Sequence, residues 1–189
     1  MYSVKDMFDD IVLIADMLEE NDIDNFKFPK GISEEDIQEW EKENSVVLPD
    51  GYKSFLFLAN GFSNHGAEIY PLNQITQLDF PEDYKGYYAI GSYIGDGSLA
   101  LVDDKGNFYL GDHVDEITKS TFEEFIEKWF LDDMKEALED NDIKLPKKLK
   151  TNKKSKKEQQ ILSNERFLEI MAKIREDKRK QAEINGQDS

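Results

Sequence analysis

Cysteine is absent from this chain of 189 residues, and histidine occurs only twice. Without cysteine, disulfides, thiolate nucleophiles and cysteine-ligated metals are excluded. The apolar pattern at the N-terminus is interrupted by acids and is not preceded by basic residues, so it fits neither a signal peptide nor a membrane span. We therefore expect a cytoplasmic protein that has no contact with a membrane.

Groups that could carry chemistry are also sparse. His65 lies in a polar loop, and His113 lies among the acids of Gly111–Glu116. Those carboxylates could in principle hold a divalent metal, but their spacing matches no known site and favours an ordinary polar turn. No nucleophile lies beside a base, and the Gly95-Asp96-Gly97 turn is too short to cradle a phosphate. We expect no enzyme, no cofactor and no metal.

Basic residues are scarce in the first 140 positions and abundant afterwards. Residues 1–140 contain 10 Lys+Arg against 33 Asp+Glu, a net charge of −23, whereas residues 141–189 contain 14 against 8, a net charge of +6. An acidic body repels nucleic acid and anionic lipid, and it accelerates encounters with basic partners. The simpler alternative is that the excess acid only keeps the protein soluble.

Two consecutive helices are predicted between Ile32 and Phe62. Ser33 and Asp36 have the spacing of an N-terminal cap for the first helix. An apolar crossing, Val46-Val47-Leu48, leads to Pro49 and Asp50, which suit the start of the second helix. That helix carries an apolar stripe at i, i+3, i+4 and i+7, formed by Tyr52, Phe55, Leu56 and Ala59. Asn60-Gly61 then ends it.

The rest of the first 140 residues predicts an α+β domain, an antiparallel sheet packed with helices. Residues 3–20 have an amphipathic helical pattern, with apolar side chains on one face and acids on the other. Short β runs follow Gly61, and the clearest is a hairpin of Ser98–Val102 and Asn107–Leu110. Ser120 or Thr121 can cap a long final helix whose predicted buried face is Phe122, Phe125, Ile126, Trp129, Phe130 and Leu138. We place the end of this domain near Asp140.

In order and spacing, these segments resemble the SUKH superfamily. The matching elements lie between Gly31 and Trp129 and are Leu48-Pro49-x-x-Tyr52, Asn60-Gly61, Ile69-Tyr70-Pro71-Leu72, Gly95-Asp96-Gly97 and Thr121–Phe125. That superfamily holds fungal regulators of cell-wall synthesis of the Smi/Knr type and bacterial immunity proteins that neutralise toxins. The resemblance implies a SUKH-like domain over residues 1–140 and a cytosolic binder that occludes a basic, commonly nuclease-type toxin. The alternative that it leaves open is a regulatory scaffold or interaction module without a toxin partner.

Four tyrosines, Tyr84, Tyr87, Tyr88 and Tyr93, precede the Gly95-Asp96-Gly97 turn. Tyrosines beside acids are typical anchors of protein interfaces, although such residues also simply pack within a sheet. We predict a partner-binding surface that contains Asp96, Tyr93, Tyr88, Tyr84, Asp103 and Asp104.

The C-terminal part, which the resemblance does not cover, has a different composition. Residues 141–157 read as a lysine-rich linker, with eight lysines and no acid between 144 and 157. Residues 158–182 predict an amphipathic basic helix that needs a partner surface, and 183–189 a disordered tail. The lysines could bind nucleic acid weakly, but the acidic body opposes this, and the same segment could lie against that body. The sequence leaves the partner and the oligomeric state open.

Overall fold

The computed structural model describes residues 2–64, 66–79, 82–93, 97–111, 116–145 and 149. Over these residues it confirms the predicted α+β class. The described helices are α1 (Val4–Glu20), α2 (Glu34–Asn44), α3 (Asp50–Leu58), α4 (Phe122–Ile126) and α5 (Asp132–Asp140). The strands are β1 (Phe62–Ser63), β2 (Ala67–Ile69), β3 (Thr76–Gln77), β4 (Tyr88–Tyr93), β5 (Ser98–Val102), β6 (Phe108–Gly111) and β7 (Ile117–Lys119). The predicted basic helix at 158–182, the tail at 183–189 and most of the linker at 141–157 lie outside the described residues.

The seven strands form one antiparallel sheet in the order β1-β2-β4-β5-β6-β7, and β3 pairs with β4 beyond the end of β2. The predicted hairpin is confirmed, because β5 and β6 pair from Leu99↔Gly111 to Val102↔Phe108. A further strand, β7, contains three residues that pair with β6 and was not predicted from the sequence. Two 3-10 turns, Leu72–Gln74 and Glu82–Tyr84, lie in the connections on either side of β3.

The main core lies between one face of the sheet and the helices. The predicted stripe of α3 is fully buried there, and α1 contributes Ile11, Ile14 and Leu18. α1 packs against both α3 and α5, which fixes the N-terminal helix to the C-terminal one. Burial of this apolar surface is the dominant favourable contribution to folding. The helices therefore leave the other face of the sheet for contact with solvent or a partner.

The segments before and after α2 contain a predicted cap and a predicted apolar crossing. Ser33 caps α2 as predicted: its hydroxyl oxygen accepts a hydrogen bond from the Asp36 N–H at 3.2 Å. In the apolar crossing after α2, Val46 and Leu48 are buried while Val47 is 51% exposed. An extended backbone points successive side chains to opposite sides, so the middle residue of the three faces outwards.

The final helix is not continuous as predicted. Between α4 and α5 lies a π-helical turn, Glu127–Leu131, which shifts the register of the residues that follow. Phe130 and Leu131 stay buried, whereas Trp129 is partly exposed and does not belong to the fully buried face. Of the two candidate caps, Ser120 and Thr121, the N-cap of α4 is Thr121, whose hydroxyl oxygen accepts a hydrogen bond from the Glu124 N–H at 3.1 Å.

A β-bulge in β4 decides which way its tyrosines point. Tyr88 pairs with Val102 and Ala89 with Leu101, but Gly91 pairs with Ala100, so Ile90 is the extra residue. One extra residue reverses the alternation of side chains along a strand. Tyr88 and Tyr93, which are five positions apart, therefore both face the helices.

Candidate functional site

We call the side of the sheet opposite the helices the outer sheet face. At its centre lie three buried residues, Tyr84, Ala89 and Leu101, which form a small apolar cluster of their own. Around them lie partly exposed apolar and aromatic side chains, namely Tyr70, Leu78, Tyr87, Leu99, Tyr109 and Ile117. The outer sheet face is therefore rich in tyrosine and only partly shielded from solvent.

The turn at Glu82–Tyr84 provides the cover for the centre of this face. A Cβ added at Gly111 in β6 would lie 2.9 Å from the Tyr84 ring, so the ring lies directly over the backbone of that strand. A glycine at this position allows the ring to approach so closely. Tyr84 therefore packs on the outer sheet face as a buried residue and exposes little surface to a partner.

Tyr87, Tyr109 and Asp103 form the most defined polar group on the outer sheet face. The Tyr87 and Tyr109 rings meet edge to face, with centroids 5.4 Å apart. The Tyr109 hydroxyl donates to Asp103 Oδ2 at 3.2 Å. Asp103 is in turn fixed by the hairpin turn, because it accepts hydrogen bonds from the N–H groups of Lys105 and Asn107 at 3.0 and 2.8 Å. The Asn107 side-chain amide donates to its second oxygen at 2.7 Å.

These contacts set the protonation state of the group. Partial burial acts to raise the pKa of Asp103, but the hydrogen bonds donated by Asn107, Lys105 and Tyr109 outweigh it and hold that pKa below its usual value. Burial and the neighbouring Asp103 carboxylate raise the pKa of Tyr109. At neutral pH the outer sheet face therefore presents the ionised Asp103 carboxylate beside the protonated phenol of Tyr109.

The predicted partner-binding residues do not form a single patch. Tyr84 and Asp103 lie on the outer sheet face, and Asp104 is exposed at the adjoining hairpin turn. Tyr88 and Tyr93 face the helices instead, because the bulge in β4 reverses the alternation of side chains between them. The sixth predicted residue, Asp96, lies outside the described residues. Partner binding by these residues stays a prediction.

Both tyrosines on the helix side of β4 pack against tryptophans. The Tyr88 ring meets Trp40 of α2 edge to face at 6.1 Å, and its hydroxyl donates to the Asn44 carbonyl oxygen at 3.4 Å. The centroids of the Tyr93 and Trp129 rings lie 5.4 Å apart. Tyr88 is buried and Tyr93 is partly exposed, so of the two Tyr93 has more surface for a partner.

Tyr109 is a residue of the outer sheet face that was not predicted from the sequence. The alternation of side chains along a strand indicates this position, since Phe108 is buried in the main core and the next residue points to the opposite side of the sheet. Tyr87 was recognised as part of the tyrosine cluster but was not selected as a contact. Its position on the outer sheet face became clear only from its contact with Tyr109.

Neither a metal site nor a membrane span is found among the described residues. Within the ranges given above, no group of three acidic or histidine side chains converges in a way that could hold a metal ion. Both histidines, including His113 with its neighbouring acids, lie outside those ranges. No helix in the described part of the chain combines the length and the apolar character that a membrane crossing requires.

Comparison with known proteins gives one family. The model of the SMI1 / KNR4 family (SUKH-1) matches residues 31–139, which is more than half of the chain. The match runs from the segment before α2 to the last turn of α5 and includes the whole described sheet. No curated protein matches the chain. The resemblance to the SUKH superfamily, which was expected between Gly31 and Trp129, is confirmed.

Proposed function

Because the chain belongs to the SMI1 / KNR4 family (SUKH-1), we propose that it is an immunity protein that binds and occludes a basic, nuclease-type toxin. The family includes immunity proteins and Smi1/Knr4-like proteins, and its domains generally act through protein–protein interaction. The observation that carries the proposal is the outer sheet face, where partly exposed tyrosines lie beside a fixed carboxylate on a strongly acidic body.

The charge of the body supports the choice of a basic partner. Residues 1–140 carry a net charge of −23. A nuclease must hold a polyanion, so its substrate-binding surface is basic and attracts an acidic protein that can take the place of the substrate. Attraction of this kind raises the association rate by orders of magnitude at low salt. We propose that this long-range attraction brings the toxin to the outer sheet face.

The tyrosines of the outer sheet face would then slow dissociation. Tyr87 and Tyr109 combine a large apolar ring with a hydroxyl that can form a hydrogen bond, which is why tyrosine is enriched among the residues that dominate binding energies. Their edge-to-face contact and the hydrogen bond to Asp103 restrain both rings before a partner arrives. Little ordering of side chains is then required on binding, and this favours affinity.

The proposed activity is binding alone, in the cytoplasm and without a cofactor. The polar groups of the outer sheet face are a carboxylate held by backbone amides and two phenols, an arrangement that positions contacts with a partner. Occlusion requires only that the toxin surface be covered, so no reacting group on this chain is needed.

The test is protection of cells that express a basic toxin domain together with the full-length chain. We expect survival, recovery of a complex, and an association rate that falls steeply with added salt. The Tyr87→Ala/Tyr109→Ala variant should bind more weakly, by at least tenfold if these residues are hot spots. Phe57→Ala is the matched control, because Phe57 is an aromatic residue that is 46% exposed on α3, away from the sheet.

Two results would contradict the proposal at different levels. If no basic toxin is bound or neutralised, the immunity function is wrong. If protection is retained by the tyrosine variant and lost in the Phe57→Ala control, the function stands but the outer sheet face is not the binding surface.

A regulatory scaffold is the second candidate, favoured by the net charge of +6 on residues 141–189. Such a protein would hold one partner through its domain and another through the basic segment. Ile143 and Leu149 pack against the main core, so the informative truncation removes only residues 150–189. An immunity protein should still protect without this segment, whereas a scaffold should lose one of its partners.

A further inference from the structure

A second surface, on the helix side of the sheet, has the features of a peptide-binding groove. Between α2 and the Leu72–Gln74 turn lies an open groove of about 620 Å³, which we call the α2 groove. Its apolar lining is Ile32, Trp40 and Leu72, and its acidic lining is Asp36, Glu39 and Glu43. A volume of this size, within the roughly 300–1,000 Å³ common for ligand sites, accommodates a few side chains and is too small for a whole domain.

The acids of the α2 groove follow from the helical repeat. Asp36, Glu39, Trp40 and Glu43 are related by i, i+3, i+4 and i+7, so the indole lies between carboxylates on one face of α2. All three acids are exposed. Within the described part of the chain, neither Glu39 nor Glu43 forms an ion pair with a lysine.

The Asp36 carboxylate is held in its charged form. The Ser33 hydroxyl donates to Asp36 Oδ2 at 2.7 Å, and this hydrogen bond, together with one from the Ser33 N–H, lowers the pKa of Asp36. The rim of the α2 groove therefore carries several uncompensated negative charges around a partly exposed tryptophan. A face of this charge repels nucleic acid and other polyanions and attracts cations.

Both sides of the α2 groove are held in place before any ligand binds. Trp40 rests edge to face on the Tyr88 ring, with centroids 6.1 Å apart. On the opposite side, Asn60 Oδ1 accepts a hydrogen bond from the Leu72 N–H at 2.9 Å, which ties the end of α3 to the turn that forms the wall. Preorganisation of this kind reduces the cost of ordering on binding.

We propose that the α2 groove binds a linear, lysine- or arginine-rich segment of a partner protein, with one apolar side chain of that segment packed on Trp40. Tryptophan accepts both an apolar side chain and the cationic end of lysine or arginine, and the flanking carboxylates pair with the neighbouring cations. The groove lies on the opposite side of the sheet from the outer sheet face. The proposal therefore does not depend on the toxin-binding function, and either can fail without the other.

The test uses the full-length chain and a fluorescein-labelled peptide, Lys-Lys-Leu-Lys-Lys-Leu-Lys-Lys, followed by fluorescence anisotropy. We expect saturable binding at one site, weakened strongly between about 50 mM and about 300 mM salt because exposed charges are screened over that range. Glu39→Gln/Glu43→Gln should weaken binding about fivefold, the effect of losing two exposed ion pairs. Trp40→Phe should weaken it further, and the Trp40 indole N–H should shift in the NMR spectrum when the peptide is added.

The matched control is Glu19→Gln/Glu20→Gln, which removes two exposed acids at the end of α1 and changes the net charge equally. Circular dichroism verifies that each variant is folded. The proposal is overturned if the control weakens binding as much as the groove variant, since attraction would then be non-specific. A peptide with alanine in place of both leucines that binds equally well would also overturn it. Self-association that depends on Trp40 would identify a second copy of the chain as the occupant and would equally refute it.

Discussion

Of two glycine-to-alanine substitutions, Gly91→Ala in β4 should lower stability, whereas Gly51→Ala in α3 should not. A Cβ at Gly91 would lie 2.5 Å from the Glu68 carbonyl oxygen and 3.1 Å from Cζ of Phe125. Ordinary contact begins at 3.4 Å, so the backbone of β2 would have to move by nearly 1 Å. Neither the carbonyl group nor the buried ring can move aside independently of the sheet or the core.

The magnitude follows from these contacts. Overpacking of this kind costs about 1–3 kcal/mol, and disturbance of the ladder between β2 and β4 adds about 1 kcal/mol. Alanine has less conformational freedom than glycine in the unfolded chain, and this offsets the loss of stability by about 0.4–1 kcal/mol. We expect Gly91→Ala to lower the free energy of unfolding by about 2 kcal/mol. For a domain of this size, that corresponds to a melting temperature lower by roughly 6 °C.

Gly51 provides the control. A Cβ there meets Oε1 of Glu123 at 2.9 Å, the end of a flexible side chain that can move, and Cβ of Phe122 at 3.1 Å. Since alanine is preferred to glycine in a helix by about 1 kcal/mol, Gly51→Ala should be neutral or stabilising by about 0.5 kcal/mol. Urea unfolding, followed by tryptophan fluorescence and circular dichroism with unchanged m-values, measures both. Wild-type stability of Gly91→Ala would refute the reasoning, as would an equal loss in Gly51→Ala.

Two further predictions concern single hydrogen-bonded groups. Tyr52 is fully buried, and its hydroxyl donates a hydrogen bond to the Tyr70 carbonyl oxygen at 2.6 Å. Tyr52→Phe should therefore lower the free energy of unfolding, measured by urea unfolding, by about 1 kcal/mol. A change near zero would show that this hydrogen bond contributes no net stability. The pKa of Asp103 is lower in the folded chain than in the unfolded one, so the ionised carboxylate stabilises the folded state. This contribution to the free energy of unfolding is complete above the unfolded pKa of about 3.9 and is lost as the pH falls through the folded pKa. Wild type should therefore exceed Asp103→Asn in stability at neutral pH, and the gap should narrow below about pH 4 in urea titrations. A gap that stays constant with pH would show that the charge of Asp103 is not what stabilises the hairpin turn.

The helices were predictable because each of their signals is local. Ser33 and Thr121 are caps that act on residues within one turn, and the stripe of α3 is a repeat within a single segment. The hairpin of β5 and β6 is also local, since its strands are joined by a short turn. The sequence does not mark the π-helical turn at Glu127–Leu131, because the residues there are ordinary helix formers.

The candidate site was less predictable because it depends on pairing between distant strands. The orientation of Tyr88 and Tyr93 is set by one extra residue, Ile90, which appears only when β4 is aligned with β5. The proximity of Tyr87 to Tyr109 likewise depends on the neighbouring strands and not on the sequence between them. The acidic stripe of α2 could have been found from helical periodicity alone. Its opposite wall, where Asn60 holds Leu72 in place, could be found only from the fold.

The outermost strands of the described sheet, β1 and β7, contain only two and three residues. They offer too few free backbone groups for an incoming chain to continue the ladder, so recognition by strand addition is disfavoured. A partner would then read side chains and not main chain. In that case, substitutions of surface side chains would be enough to change which partner is bound, and the buried core could stay unchanged.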